Sequence, residues 1–335
     1  MRDAEVELVA AAERIMRTAL VWDNHACMPL RPGDTSFLPQ LADVRAAGVD
    51  VISINIGFGS GKPDEHLAML RSFTEWIDAR SDEYAVATST ADIAAAKSRG
   101  QLAVFYDVEG MAPLDGGRLD LVRTFRASGV GWMLIAYNRA NDSGSGCYDE
   151  VDGGLTGYGR EVILEMKNER MMLCCSHTGW RTAMEAIEFA AMPVIFSHSN
   201  VHRLDPHPRN IPDELIDACA ASGGVIGING LGPFLGGRAT PERIADHVEY
   251  IAGRVGDDHV GLALDYVFDR DEFEDYVIKN RHTFPDNSFD PPLAMVHDRQ
   301  IVEVVAELLA RGFGEASTQK IVGDNWHRVA MQVWT

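Results

Sequence analysis

Five stretches of this sequence carry residues that bind divalent metals, and each closes an apolar run. They are Asp23-Asn24-His25-Ala26-Cys27, Asp107-Val108-Glu109-Gly110, Ser176-His177-Thr178, Ser197-His198-Ser199-Asn200 and Asp265. Imidazole, thiolate and carboxylate are all good zinc ligands. His25 and Cys27 are two residues apart, and on an extended strand such residues point the same way. Glu109 offers a carboxylate able to bridge two cations, and His177 and His198, from neighbouring runs, can share one. The set would hold one or two ions and leave a position for water, which becomes nucleophilic near neutral pH on a metal. A lone strand-end histidine is most often a hydrogen-bonded structural residue, so the expectation rests on the whole set converging. The other histidines (His66, His202, His207, His247, His259, His282, His297 and His327) fall on expected helices or loops and read mostly as surface residues. His202 and His207 follow the sixth run closely enough to touch substrate. Cys174 and Cys175 precede His177, with at least one expected in the core, and Cys147 lies in a glycine-rich loop.

The positioning elements are eight short runs: 19–25, 51–56, 102–109, 131–137, 171–177, 193–198, 224–228 and 260–265. They are rich in Val, Ile, Leu and Met and mostly lack polar alternation, as strands buried on both faces do. Helical segments fall between them at 63–79, 91–98, 118–127, 159–169, 181–190, 212–221 and 241–255. Pro212-Asp213-Glu214 and Thr240-Pro241-Glu242 place proline and acids in a first turn. Eight strands alternating with helices predict an α/β fold, a (β/α)8 TIM-type barrel. An open doubly wound sheet is the alternative. In barrel enzymes the chemistry sits at the carboxyl ends of strands, where these five stretches lie. Residues 298–311 and 317–333 read as C-terminal helices packed outside. The Gly-, Asn-, Asp- and Ser-rich stretch 138–154 reads as a lid-like loop or a substrate wall, and 266–290 as an insertion folding over the mouth. With no repeat or linker, residues 1–335 are expected to form a single domain. Gly57–Lys62 resembles a phosphate loop only weakly, because Pro63 stands where a Ser or Thr is needed, and it reads as a flexible barrel loop. No Gly-x-Ser-x-Gly elbow supports a serine hydrolase.

The formal net charge of −20 disfavours nucleic acid and anionic membrane as partners. Five scattered cysteines make a disulfide framework unexpected, and reduced thiols suit a cytoplasmic location. The first residues carry acids and no continuous apolar stretch, so no signal peptide is expected, and no run is long enough for a transmembrane helix.

Several phrases in order identify a resemblance. Leu155-Thr156-Gly157-Tyr158-Gly159-Arg160-Glu161-Val162, Ser176-His177-Thr178, Ser197-His198-Ser199-Asn200, Arg209-Asn210-Ile211-Pro212-Asp213-Glu214-Leu215 and Gly323-Asp324-Asn325-Trp326-His327-Arg328-Val329 are similar to the membrane (renal-type) dipeptidase family, the M19 metallopeptidases, among amidohydrolase-like barrels. The resemblance runs from about residue 19 to about residue 333. It implies a binuclear zinc site with His25, Glu109 as the bridge, His177 and His198, and a water that attacks the scissile carbonyl. It implies Asp265 as the proton shuttle to the leaving amine and Arg209 as the partner of the substrate carboxylate or the developing oxyanion. Members of the family often dimerise, so a homodimer is among the arrangements implied.

The pattern departs from the family at three places. Its first-strand H-x-D reads His25-Ala26-Cys27 here, so Cys27 is either a soft zinc ligand or a structural thiol. Its T-H-N phrase reads Ala136-Tyr137-Asn138, leaving Tyr137, with Asn138 beside it, to meet substrate. Its D-F-D-G phrase reads Asp265-Tyr266-Val267-Phe268-Asp269. The expected activity is zinc-dependent hydrolysis of a dipeptide, with a D-residue tolerated at the carboxyl end. Hydrolysis of another small amide, such as an N-acyl amino acid, and a degenerate barrel that binds without turnover are the alternatives.

Overall fold

In a computed structural model, which describes residues 2–284 and 289–335, ten strands alternate with helices. They are β1 Trp22–Cys27, β2 Val51–Phe58, β3 Tyr84–Val86, β4 Leu102–Glu109, β5 Val130–Leu134, β6 Met172–Cys174, β7 Val194–Ile195, β8 Ile226–Ile228, β9 Val260–Leu262 and β10 Tyr266–Val267. All pairings between them are parallel. The main path runs β10-β1-β2-β4-β5-β6-β7, with β3 beside the start of β4, and β8 pairs β9. A parallel bridge between Phe196 and Ile226 joins β7 to the β8–β9 pair. On the other side, the Leu264 amide donates to Asp23 Oδ1 (2.8 Å) and the Asp265 amide to the His25 carbonyl (3.0 Å). The sheet therefore curls back on itself, and the eight runs of the sequence are its eight staves. β3 and β10 are additions of three and two residues, too short to show periodicity.

The strands alternate between two apolar layers. On β4, Leu102, Val104, Tyr106 and Val108 pack into the layer between sheet and helices, while Ala103 and Phe105 pack into a second cluster with Trp22, Trp132 and Leu134 inside the curl. The two-residue period of a strand makes this division. It also puts Asp107 and Glu109 on the inner face, further along the same strand. Between the strands, caps start helices where the sequence reading placed them. Ser89 accepts from the Asp92 amide (3.2 Å) ahead of the helix Thr90–Ser98, and Thr240 accepts from the Arg243 amide (3.3 Å) ahead of Pro241–Val255.

The C-terminal segment divides in two. The helix Ile301–Ala310 joins the outer layer, as expected. The helix Asn325–Val333 instead closes the floor: Trp326, Val329, Ala330 and Val333 belong to the inner cluster. Trp326 Nε1 donates to the Leu262 carbonyl (3.0 Å), and Trp334 Nε1 to the Gly131 carbonyl (3.1 Å). Gly227 and Gly261 make room for the indole, since a Cβ there would lie 2.9 and 2.5 Å from Trp326. An open barrel end leaves apolar strand faces wet, and a broad aromatic helix face covers them.

Stretch 138–154 packs back onto the end of β6. It is tied to the end of β6 by a bridge between Gly146 and Thr178, and the Cys147 amide donates to the His177 carbonyl (2.8 Å). Within 266–290 the helix Arg270–Lys279 turns Phe273 and Tyr276 toward the mouth; residues 285–288 of that stretch lie outside the described residues. In Gly57–Lys62, His66 fills the space beside Gly57 and Gly61, while Ser60 and Lys62 are exposed. The N-terminal helix Arg2–Thr18 was not anticipated.

Candidate active site and metal centre

The five stretches meet at one end of the curled sheet. Glu109 Oε1 lies 3.1 Å from His177 Nε2, 3.2 Å from His198 Nε2 and 3.7 Å from His25 Nε2. His177 Nε2 and His198 Nε2 are 2.9 Å apart, and the His25 and His198 rings stack at 4.1 Å. Cys27 Sγ is 3.5 Å from His25 Nε2 and 3.6 Å from Asp265 Oδ1. Among the described residues, three overlapping groups have the reach of metal sites: His25 with Cys27 and Glu109, Glu109 with His177 and His198, and His25 with His198 and Asp265.

Local backbone features aim these side chains. Strict alternation from Trp22, which points inward, would turn His25 outward. The register between β1 and β2 shifts between Asp23 and Ala26, and this irregularity turns His25 and Cys27 into the mouth. Asn138, His177 and Asp265 have φ of 60°, 61° and 55°, a left-handed conformation that costs a non-glycine residue energy. All three stand where a strand gives way to a loop at the site.

Neighbours hold the imidazoles. His25 Nδ1 faces Asp107 Oδ2 (3.2 Å), and Asp107 in turn accepts from Ser53 Oγ (2.5 Å) and Asn55 Nδ2 (3.0 Å). His177 Nδ1 faces Asn138 Oδ1 (2.7 Å), and His198 Nδ1 faces Ser197 Oγ (2.7 Å). Each ring thus has its δ nitrogen occupied and its ε nitrogen turned to the centre, the arrangement that orients histidine for a metal. Asn138, expected to face substrate, uses its carbonyl oxygen on His177. Asp265 Oδ2 accepts from Asn229 Nδ2 (2.7 Å), which leaves Oδ1 toward Cys27 and His25 (3.4 Å).

Burial raises the Glu109 carboxyl to about 8, with Asp265 and Asp107 adding to the effect and His25 opposing it. Burial pushes His177 and His198 well below the usual imidazole range, aided by the Arg209 charge. For His25 burial acts in the same direction, but Asp107, Cys27 and Glu109 outweigh it and raise the group. Burial raises the Cys27 thiol. Glu109 Oε1 has no hydrogen bond despite its three nitrogen neighbours. A buried acceptor facing the lone pairs of the neutral His177 and His198 imidazoles is electrostatically unfavourable by itself, and a cation between them removes the conflict. The donor set fits a metal.

Arg209 is buried beside the centre. Its Nη2 donates to the His198 carbonyl (3.2 Å) and its guanidinium stacks on Phe234 (5.1 Å), while Nε and Nη1 have no partner. Two free buried donors on one guanidinium suit a carboxylate. Tyr137 stacks on His177 (4.3 Å) and lines the cavity. The sequence gives Asp107 a place in the second stretch but no role, and does not single out Asn55 or Asn229. The role of Asp107 was within reach, since it stands two residues before Glu109 on one strand face. His66, His207 and His247 are buried, not superficial. His247, for example, takes the Val201 amide on Nδ1 (3.0 Å) and faces Asp205 with Nε2 (3.0 Å).

The family model for membrane dipeptidase (peptidase family M19) matches residues 10–277. This chain belongs to that family. Membership in the membrane dipeptidase family implies a metal, and the ligand groups are present. Dipeptidase tcpJ of Claviceps purpurea is 30% identical over 259 residues, covering 76% of this chain and 56% of that protein. The chain thus spans a little over half the length of this curated relative. The solved structure of an amidohydrolase from Pseudomonas aeruginosa superposes with a TM-score of 0.86 at 26% identity, over 96% of this chain and 99% of that one. A metallo peptidase from Rhodobacter sphaeroides, liganded with a phosphinate mimic of the dipeptide L-Ala-D-Ala, shares the fold at a TM-score of 0.77 and 19% identity, over 95% of this chain and 100% of that one. The family member's closing phrase, Gly323–Val329, lies beyond the matched residues. Among the described residues, no helix is long and apolar enough to cross a membrane.

Proposed function

We propose that this chain is a zinc-dependent dipeptidase that also accepts a D-residue at the carboxyl end. The observation that carries the reading is Glu109 Oε1, buried without a hydrogen bond and within 3.7 Å of three imidazole nitrogens. In this reading His25, Cys27 and Glu109 would hold one ion, and Glu109, His177 and His198 a second. The thiolate of Cys27 favours zinc over harder divalent ions. When bound, zinc supplies Lewis-acid polarisation of the scissile carbonyl and a water nucleophile at neutral pH.

The protein's own groups do the rest. Arg209 Nε and Nη1 bind the substrate carboxylate and fix the amide over Glu109. Asp265 Oδ1, with Oδ2 held by Asn229, takes the proton of the attacking water and delivers it to the leaving amine nitrogen. The Tyr137 hydroxyl, kept protonated by burial, donates to the substrate where the family pattern has a histidine. Asn138 and Ser197 hold the tautomers of His177 and His198. The dipeptide mimic bound by the Rhodobacter sphaeroides neighbour agrees with this assignment. A homodimer is compatible with it, and so is a cytoplasmic location.

The test is a panel of dipeptides, with L- or D-residues at the carboxyl end, and N-acyl amino acids, assayed with zinc while metal content is measured. Metal-dependent cleavage of dipeptides is expected. Cleavage of N-acyl amino acids alone would transfer the reading to that class, a shift that Tyr137 in place of the histidine would explain. Stoichiometric zinc without any turnover would leave a binding barrel.

A further inference from the structure

Above the metal-binding groups lies a cavity of about 520 Å3 that opens onto Glu109, His177 and Asp265. Aromatic rings span it. Phe58, at the end of β2, meets Tyr137 at 5.0 Å and Tyr276 at 5.3 Å. Tyr276 meets Phe284 at 6.1 Å, Phe284 meets Phe289 at 5.1 Å, and Phe289 meets Phe234 at 5.4 Å. These edge-on and tilted contacts are the geometry that aromatic rings prefer, so the arch supports its own shape. It runs from the β2–β5 side of the mouth to the side of β8.

Arg209 stands at the far foot of this arch. It follows β7 and stacks on Phe234. Going round the curled sheet, β2 and β7 are half the ring apart. A substrate whose carboxylate meets Arg209 and whose amide lies over Glu109 therefore extends its acyl side toward Phe58, Tyr137 and Tyr276. Among the described residues, the cavity lining holds no lysine or arginine. Its charged members away from the centre are Glu65, Asp269 and Glu272, the last two ion-paired with Arg31. An acidic acyl-side residue would meet Glu65 there and an Arg31 already engaged by Asp269 and Glu272, and a short one would leave the aromatic faces uncovered.

We propose that the preferred substrate carries a large apolar residue, above all an aromatic one, on the acyl side of the scissile amide, and that Phe58 and Tyr276 determine the preference. This rests on the dipeptidase reading for its orientation. The zinc-loaded enzyme and its Phe58→Ala and Tyr276→Ala variants would be assayed on Phe-Ala and Ala-Ala. In parallel, phosphinate dipeptide analogues with benzyl or methyl at the acyl-side position would be titrated calorimetrically into the parent enzyme. The expected ratio of kcat/KM, Phe-Ala over Ala-Ala, is about 10 or more, falling several-fold in each variant. The benzyl analogue should bind tighter by a similar factor. If dipeptides are cleaved with a ratio near one, this proposal is overturned and the dipeptidase reading stands. If neither dipeptide is cleaved, that reading fails, and the titration decides: tighter benzyl binding upholds the apolar subsite, while equal binding, or binding of neither analogue, overturns it.

Discussion

At the floor of the barrel Trp22 meets Phe105 at 5.5 Å and Trp334 at 6.0 Å, and the indole nitrogens of Trp326 and Trp334 each donate to a strand carbonyl. At the mouth, further along the same strands, Glu109 Oε1, Asn138 Nδ2 and two Arg209 nitrogens are buried with no partner. Three residues there hold left-handed backbone conformations. The floor ties both closing indoles to strand carbonyls and excludes water. The mouth gathers acids, imidazoles and a guanidinium, several of whose buried polar atoms have no partner. Stability is concentrated at one end and chemistry at the other, so the two should be separable by mutation.

Four experiments would sharpen or break that contrast. Glu109→Gln should lower turnover by about 10³-fold or more and reduce metal content. The metal-free variant should melt no lower than the metal-free parent, since a buried group that resists ionisation has been replaced by a neutral one. A lower melting temperature would show that the mouth also carries stability. Trp326→Ala acts on the other end. It should cost about 3–5 kcal/mol in denaturant unfolding, while KM of the fraction that stays folded changes little. A KM shift as large as the stability loss would couple floor to mouth.

The third experiment uses pH. Folding raises the Glu109 carboxyl from its ordinary 4.5 to about 8, so the folded metal-free protein holds a proton that the unfolded chain has released. The stability of the metal-free protein should therefore decline as pH rises from about 4.5 to about 8. Zinc must displace that proton, so its apparent affinity should climb with pH up to about 8, with proton release seen calorimetrically in two buffers. Affinity that is flat over this range would remove Glu109 from the ligand set. The smallest effect concerns Cys27→Asp, which should keep the ions but weaken the preference for zinc over manganese in a competition measured by metal analysis. Unchanged selectivity would make Cys27 a structural thiol.

Much of this architecture was legible beforehand. The eight apolar runs are the eight staves of the barrel, because burial on both faces leaves a strong local mark. Helix starts such as Thr240-Pro241 carried their own signals. What escaped was short, as with β3, or depended on remote partners. His247 reads as a helix-surface residue until the Val201 amide and Asp205 come to meet it. Asn229 is one polar residue after a strand until Asp265 is seen to lean on it. The last helix was expected outside because its own residues do not show that the barrel floor needs a cover.

The sequence by itself determined the kinds of donor, their places at strand ends and the family to which they belong, since all three are properties of residue type and local spacing. Only the tertiary structure decided which way the donors face. The register shift in β1 turns His25 inward against simple alternation, left-handed turns swing His177 and Asp265 to the centre, and an arch of rings joins β2 to the segment after β8. Such features arise where distant strands and loops press on one another, and no local period encodes them.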